Sequence, residues 1–527
     1  MNRQTALATL RSQTAPFDIL IVGGGATGLG TAVDAASRGH SIALVEQADF
    51  AKGTSSRSTK LVHGGVRYLR QGNVSLVLEA LRERGLLYRN APHLVHDMAF
   101  VIPNYKWWEG PFYGVGMKVY DALAGNLGLA PSQILNLEET LERIPTIETE
   151  GLTGAVVYHD GQFDDSRLAI NLAQTAVQHG ATLANYTKCV GLLKTDDGQV
   201  QGILAEDTET GDQFEILAKA VVNATGVFAD QLRRQDEPQA PEIISASQGI
   251  HIVLPKKFLP NDAAIMVPKT DDGRVLFAVP WHDRVVVGTT DTPLPEKSLE
   301  PRALQSERDF IMEHAAKYLA HDPKPEDVLS IYAGLRPLVK SGDASNTAAL
   351  SRDHTILISE SGLLTVTGGK WTTYRKMAED VVDHIEIVTG IEENPCATKT
   401  LPIFGSTTEK IPEPNLAPYG TESAKIHSII QQQPESAAPL HPRLPYQEAE
   451  VIHHARHEMA RTVEDVLARR TRALLLDAQA AIESAPRVAQ LLATELHQDQ
   501  AWTDNQIQTF TTLAQGYLFQ HPSSTSS

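Results

Sequence analysis

The stretch Phe17-Asp18-Ile19-Leu20-Ile21-Val22-Gly23-Gly24-Gly25-Ala26-Thr27-Gly28 decides the fold of this 527-residue chain. A short apolar run ends in a glycine cluster, the pattern of a buried strand entering a tight turn. From Thr31 to Arg38 small and apolar residues recur at helical spacing, and Gly39 stands where such a helix stops. Ser41 to Val45 is a second apolar run ending in Glu46, which completes the outline of a parallel βαβ unit. Gly23, Gly25 and Gly28 fit G-x-G-x-x-G, where glycines let the backbone approach a pyrophosphate and the helix N-terminus stabilises its charge. Glu46 can accept hydrogen bonds from the ribose hydroxyls of an adenosine. A glycine cluster alone is an ordinary tight turn; with strand, helix, Gly39 and Glu46 in register it reads as a dinucleotide site, for FAD or NAD.

Working outward, a third buried-strand candidate, Ala220 to Val222, leads into Asn223-Ala224-Thr225-Gly226. Asn73 to Asn90 carries Val74, Val77, Leu78, Leu81 and Leu86 at helix-like intervals, an amphipathic helix. Between residues 245 and 360 the chain changes character. His251 to Leu254, Val275 to Val279 and Val285 to Val287 predict a largely antiparallel sheet, a natural roof for a substrate site. Helix returns at Met377 to Val388. Pro402, Pro412, Pro414 and Pro418 read as a linker, and Gln447 to Leu476 and Asp477 to His497 as helical throughout.

The length exceeds the roughly 250–300 residues at which one core stops growing, so two or three domains are expected. A formal net charge of −18 excludes the basic footprint of a nucleic-acid binder. An anionic substrate then requires Arg and Lys to converge locally, within the screening length of about 8 Å. Cys189 and Cys396, the two cysteines, lie far apart and suggest neither a disulfide framework nor a thiolate metal site. Residues 1–16 lack an apolar signal core, and Asp18, Asp34 and the glycines between them speak against a membrane span at 17–36. A cytoplasmic protein with peripheral membrane contact is expected.

Gly53-Thr54-Ser55-Ser56-Arg57-Ser58-Thr59-Lys60-Leu61-Val62-His63-Gly64-Gly65-Val66-Arg67-Tyr68-Leu69 resembles the flavin-loop signature of FAD-dependent glycerol-3-phosphate dehydrogenases. Further matches follow in order: Gly249-Ile250-His251-Ile252-Val253, Gly288-Thr289-Thr290-Asp291-Thr292, Gly334-Leu335-Arg336-Pro337-Leu338 and Thr367-Gly368-Gly369-Lys370-Trp371-Thr372-Thr373-Tyr374-Arg375. The resemblance runs over residues 17–515 and is closest to the mitochondrial-type branch, without a D-x-[DN]-x-[DN]-G calcium loop. It implies an α/β protein: a Rossmann-like FAD-binding domain (17–100, 150–244, 350–395) with an inserted antiparallel β-sheet substrate domain (101–149, 245–349). A linker (396–418) and a C-terminal all-α domain (419–518) follow, with flexible termini at 1–16 and 519–527. The implied reaction moves hydride from C2 of sn-glycerol 3-phosphate to FAD N5 and passes electrons to a membrane quinone on the cytoplasmic face. An oxidase of the same fold and a non-catalytic flavin-binding protein are the rival readings. A homodimer is left open.

A flavin needs backbone donors and hydroxyls along its pyrophosphate and ring edges. Ser55, Ser56 and Thr59 suit that task, although a Ser/Thr-rich loop is also an ordinary solvated turn. The resemblance places Gly369, Lys370, Trp371 and Thr372 along the ring edge, and Ala224, Thr225 and Gly226 over the pyrophosphate and ribityl. It also places Arg336, Arg352 and Lys370 at the substrate phosphate, with Arg67 near the reacting hydroxyl; the arginine fork binds phosphate oxygens in pairs. His63 and His251 are the candidates for taking the hydroxyl proton, and the resemblance favours His63. His453 and His457 have the spacing of a metal pair but lack H-E-x-x-H, and read as exposed histidines that bind nothing. Arg469, Arg470 and Arg472 read as a domain interface or a solvated basic face. Trp107, Trp108, Phe112, Tyr113, Met117 and Tyr120, with Lys106 and Lys118, suit either an interfacial membrane contact or packing beneath the helical domain.

Overall fold

The computed structural model describes residues 1–66, 73–268, 270, 274–340 and 354–519. Its first sheet is built on Phe17–Val22, which pairs in parallel with Ile42–Val45 on one side and Gln213–Asn223 on the other. Thr182–Ala184 and Leu364–Gly368 extend it in parallel, and the antiparallel strands His354–Ile358, Val200–Asp207 and Thr187–Lys194 complete it. Ile42–Val45 is buried along its whole length, as a parallel strand covered on both faces must be. The helix Ala26–Ser37 packs so tightly on this sheet that a Cβ at Gly28 would meet Gly23 O at 1.9 Å. Arg38 pins its end to the helix Tyr374–Thr389 through Asp383 and Glu386, at 2.7 and 3.0 Å.

The second sheet is mostly antiparallel and centres on Ile244–Pro255, which pairs with Ser330–Val339 and Arg284–Gly288. Side chains alternate along it. Ile250, Ile252 and Leu254 enter a core beneath the helix Gln305–Tyr318, whereas Val253, with Trp281, Val286 and Tyr332, enters the core of the helical domain. That sheet also takes in Val95–Asn104 and Gly154–Phe163, paired over ten positions, and Leu61–Val62. The boundary expected at residue 100 therefore cuts through a strand, and the one at 150 assigns Gly154–Phe163, a strand of this second sheet, to the FAD domain. Gly154–Phe163 is buried on both faces for most of its length, so it lacks the alternation that marks a cap strand.

Three other expectations need correcting. Residues 1–16 are not a loose end: Arg3–Arg11 is a helix capped by Asn2, and the buried Arg3 pairs with Asp207 at 2.6 Å. Residues 396–418 form a strap: Ile403 is buried in the first-domain core, Ile403 N donating to Asn90 O and Phe404 N to Thr175 Oγ1, while Leu416 is buried against the helical tail. Proline removes regular structure there, but apolar side chains between the prolines still find a core. The tail is not helical throughout, because Met459 and Arg472 take positive φ and divide Glu448–His457, the π-turn Asp465–Arg470 and Ala473–Leu476. Phe519, placed in the expected loose end, packs against the second-sheet core; the rest of that segment lies outside the described residues.

Candidate functional site

A cavity of about 440 Å³ opens where the first sheet's glycine turn meets the second sheet. Gly23, at φ +116°, donates its N–H to Val45 O, and a Cβ on it would meet Ala224 O at 2.5 Å. The turn can therefore close only on glycine. Gly25, Ala26 and Thr27 bring the N-terminus of the helix Ala26–Ser37 to the cavity wall. Ser55 ties two walls together: its hydroxyl accepts from Ala26 N at 2.9 Å and its carbonyl accepts from Trp371 Nε1 at 2.9 Å. Glu46 lines the same cavity and accepts from Gly24 N and Ala48 N at 2.7 and 2.9 Å. Burial pushes its carboxyl above the usual range, against these two amides.

Ala224, Thr225, Gly226, Thr59, Gly369, Lys370, Trp371 and Thr372 line the same cavity. Gly369 is at φ +72° and a Cβ there would meet Met377 Sδ at 2.3 Å. Two expected cofactor residues do not line it. Gly28 instead packs helix on strand, and Ser56 is buried with its carbonyl accepting from Lys60 Nζ at 2.8 Å. Adjacent serines in a short 3₁₀ turn point different ways, which composition cannot separate.

His63, His251, Arg336 and Lys370 also line the cavity; Arg67 and Arg352 lie outside the described residues. Arg336 is on Ser330–Val339, in register with Ser247, and shares a sheet face with Gly249 and His251. Its Nη2 donates to Thr289 Oγ1 at 3.0 Å, and Asp291 is 3.4 Å away. The glycines of the two matching motifs make room for this machinery. A Cβ at Gly249 would meet Arg336 Nη2 at 2.3 Å, and one at Gly288 would meet His251 Cδ2 at 2.1 Å. His251 is 2% exposed and its Nε2 lies 2.8 Å from Thr59 Oγ1.

Sequence reasoning missed Arg57, Phe277 and the run Thr187-Lys188-Cys189, all on the cavity wall. Arg57 stood inside the quoted flavin loop, but nothing in its spacing distinguished a buried arginine, paired here with Glu300 at 2.7 Å, from a surface one. The other two arrive by sheet pairing, which leaves no local signal.

Glycerol-3-phosphate dehydrogenase, mitochondrial, of Macaca fascicularis is 41% identical over 96% of this chain and 74% of that protein. Its Schizosaccharomyces pombe counterpart is 37% identical over 95% of this chain and 88% of that protein. The chain belongs to the FAD-dependent glycerol-3-phosphate dehydrogenase family. Residues 18–375 match the model of FAD dependent oxidoreductases, and residues 364–503 that of the C-terminal domain of alpha-glycerophosphate oxidase. The crystal structure of the glycerol-3-phosphate dehydrogenase from Bacillus halodurans complexed with FAD superposes with a TM-score of 0.81 at 28% identity, covering 100% of this chain and 99% of that one.

In this glycerol-3-phosphate dehydrogenase family member the remaining candidates separate cleanly. Arg469 and Arg470 clamp Asp49, just beyond Glu46, and Arg472 pairs with Asp164 at 2.9 Å; all three arginines are buried, so they form a domain interface and not a solvated face. His453 is fully buried and His457 half-buried, contrary to the exposed reading; the neighbouring His454 is buried too, its Nε2 2.7 Å from Tyr419 OH. On the helix Glu109–Ala124, Met117 and Tyr120 face inward. Trp107 is 85% and Val115 68% exposed, and Trp108, Phe112, Val119, Ile134 and Leu137 are exposed around them. Among the described residues no helix is long and apolar enough to cross a membrane.

Proposed function

We propose that this protein oxidises sn-glycerol 3-phosphate to dihydroxyacetone phosphate with FAD as cofactor and delivers the electrons to a membrane quinone. The observation that carries this reading is the convergence of Arg336, Lys370, His63 and His251 on the cavity behind the first glycine turn. The donor set fits the cofactor: a helix N-terminus and the Gly23 cradle for pyrophosphate, Glu46 for ribose, and the Gly369 to Thr372 backbone for the ring edge. FAD, when bound there, supplies a two-electron acceptor for the carbinol hydrogen. Arg336 and Lys370, with Arg352, hold the phosphate dianion and Arg67 serves near the reacting hydroxyl; His63 or His251 takes the hydroxyl proton.

The exposed apolar residues supply the membrane contact. Phe112, Val115 and Val119 fall on one stripe of the helix Glu109–Ala124, continued by its N-cap Trp108, with Lys106 and Lys118 nearby in sequence. Aromatic side chains flanked by lysine suit the lipid interface of an energy-transducing membrane, here its cytoplasmic face, and give quinone a route to the flavin. Anaerobic mixing with glycerol 3-phosphate tests the chemistry: the yellow flavin bleaches, and glycerol without phosphate leaves it yellow. Absence of bleaching overturns the reading, and stoichiometric peroxide in air identifies an oxidase instead.

A further inference from the structure

The His251 ring is confined by the sheet around it. It stacks on Tyr332, with 4.8 Å between centroids and 16° between planes, and the Gly288 backbone closes its Cδ2 edge. Nε2 meets Thr59 Oγ1 at 2.8 Å, whereas Nδ1 is buried with no hydrogen-bond partner among the described residues. With its proton on Nδ1, the ring would bury an N–H without an acceptor, the arrangement folded proteins most rarely tolerate. A proton on Nε2 finds Thr59 Oγ1 and leaves only a bare lone pair behind. The surroundings keep the ring neutral: burial first, then Arg336 and Lys60, push its pKa well below the usual imidazole value. Lys60 stands 5.4 Å from the Tyr332 centroid, paired with Asp165 at 2.8 Å.

We infer that His251 carries its proton on Nε2 and donates it to Thr59, whose own hydroxyl hydrogen is directed to the substrate's carbinol oxygen as that oxygen becomes a carbonyl. A hydroxyl whose oxygen already accepts a hydrogen bond is the stronger donor. His251 is then a positioning residue acting through Thr59, and His63, the other imidazole on the wall, is the base. The O–H bond breaks with its proton going to His63. The C2–H bond breaks as the carbonyl forms, its hydrogen and electron pair leaving together as hydride for the two-electron acceptor that FAD would supply; Thr59 and His251 undergo no net proton change. This assignment rests on the substrate reading above.

The test is a double-mutant cycle on the FAD-loaded enzyme, read as the rate of anaerobic bleaching. Thr59→Val and His251→Asn each slow it about 10²-fold, the usual loss for one such donor, and Thr59→Ser recovers most of the rate. The double variant lies within about twofold of the slower single one. Losses that multiply overturn the inference, since His251 would then reach substrate without Thr59. A second measurement does not depend on turnover: ¹⁵N spectra of histidine-labelled protein place the proton of the resonance that disappears in His251→Asn on Nε2, and a proton on Nδ1 overturns the assignment. If wild-type protein holds FAD but fails to bleach, the substrate reading has failed, and the ¹⁵N result still decides the tautomer.

Discussion

Arg167 and Glu458 form a two-pronged ion pair, with both nitrogen–oxygen distances 2.7 Å and both side chains 1% exposed. Arg167 lies on the helix Asp165–Gln178 beside the first sheet and Glu458 follows the helix Glu448–His457, so the pair crosses from the FAD domain to the helical tail. Burial opposes the Glu458 charge, yet Arg167 and His453 outweigh it and hold the carboxyl well below the usual range. Glu458→Gln leaves the guanidinium buried and unpaired and lowers stability by about 3–5 kcal/mol, read as a shift in urea midpoint. The folded pKa lies below the unfolded value of about 4.3, so this contribution is present above that pH and lost as pH falls through the folded pKa. The gap between wild type and variant closes in acid; a constant gap down to about pH 3 contradicts the pairing.

Glu450 has the opposite sign. Burial pushes its carboxyl up to about 7, although Gln447 N, Asn415 and Tyr419 OH donate to it at 2.8, 3.0 and 2.8 Å. Folding then takes up a proton between about 4.3 and that value, so stability declines as pH rises through the window and levels off above it. Glu450→Gln keeps the shape of the protonated acid. Melting curves at successive pH values show the decline in wild type and its absence in the variant, which is the more stable protein by about 1–3 kcal/mol on the alkaline side.

Gly249 and Gly288 predict a separation of effects. Gly249→Ala meets the far end of Arg336 and the Thr289 hydroxyl, side-chain ends that can move aside. The expected result is a loss in kcat/KM of about tenfold or more, mostly in KM, with stability changed by less than about 1 kcal/mol. Gly288→Ala meets a ring already stacked on Tyr332 and costs about 1–3 kcal/mol of stability as well. Equal stability losses in the two variants contradict this geometry.

Replacing Trp107 and Trp108 together by Ser removes the two most amphipathic anchors of the exposed face. Wild-type protein floats with liposomes, the variant stays at the bottom of the gradient, and bleaching by substrate in detergent-free buffer is unchanged. Flotation of the variant with the vesicles assigns the membrane contact elsewhere.

The first βαβ unit was legible because each signal is local: an apolar run, three glycines, a helix stop and a carboxylate at the next strand end. The cavity wall was legible only where a long motif coincided with it. Ser56 shows the limit, since neighbouring serines in one turn face cavity and core, and spacing alone cannot separate them. Arg469, Arg470 and Arg472 show another, because three near-consecutive arginines fit an interface and a solvated face alike until the acids that neutralise them, distant in sequence, are brought against them. The buried His453 was misread for the same reason: burial is a property of the assembled layers.

The clamp of Arg469 and Arg470 on Asp49 makes the two sequence units matched by separate models a single indivisible body. A gene split at the proline-rich strap would produce an N-terminal piece with Asp49 and Arg167 stripped of these counter-charges, Asp164 without Arg472, and Trp281 and Tyr332 bared to water. Shuffling the helical tail onto another flavoprotein is therefore unlike swapping a bead on a string; the recipient would need an acid just past its second strand and another in the place of Asp164.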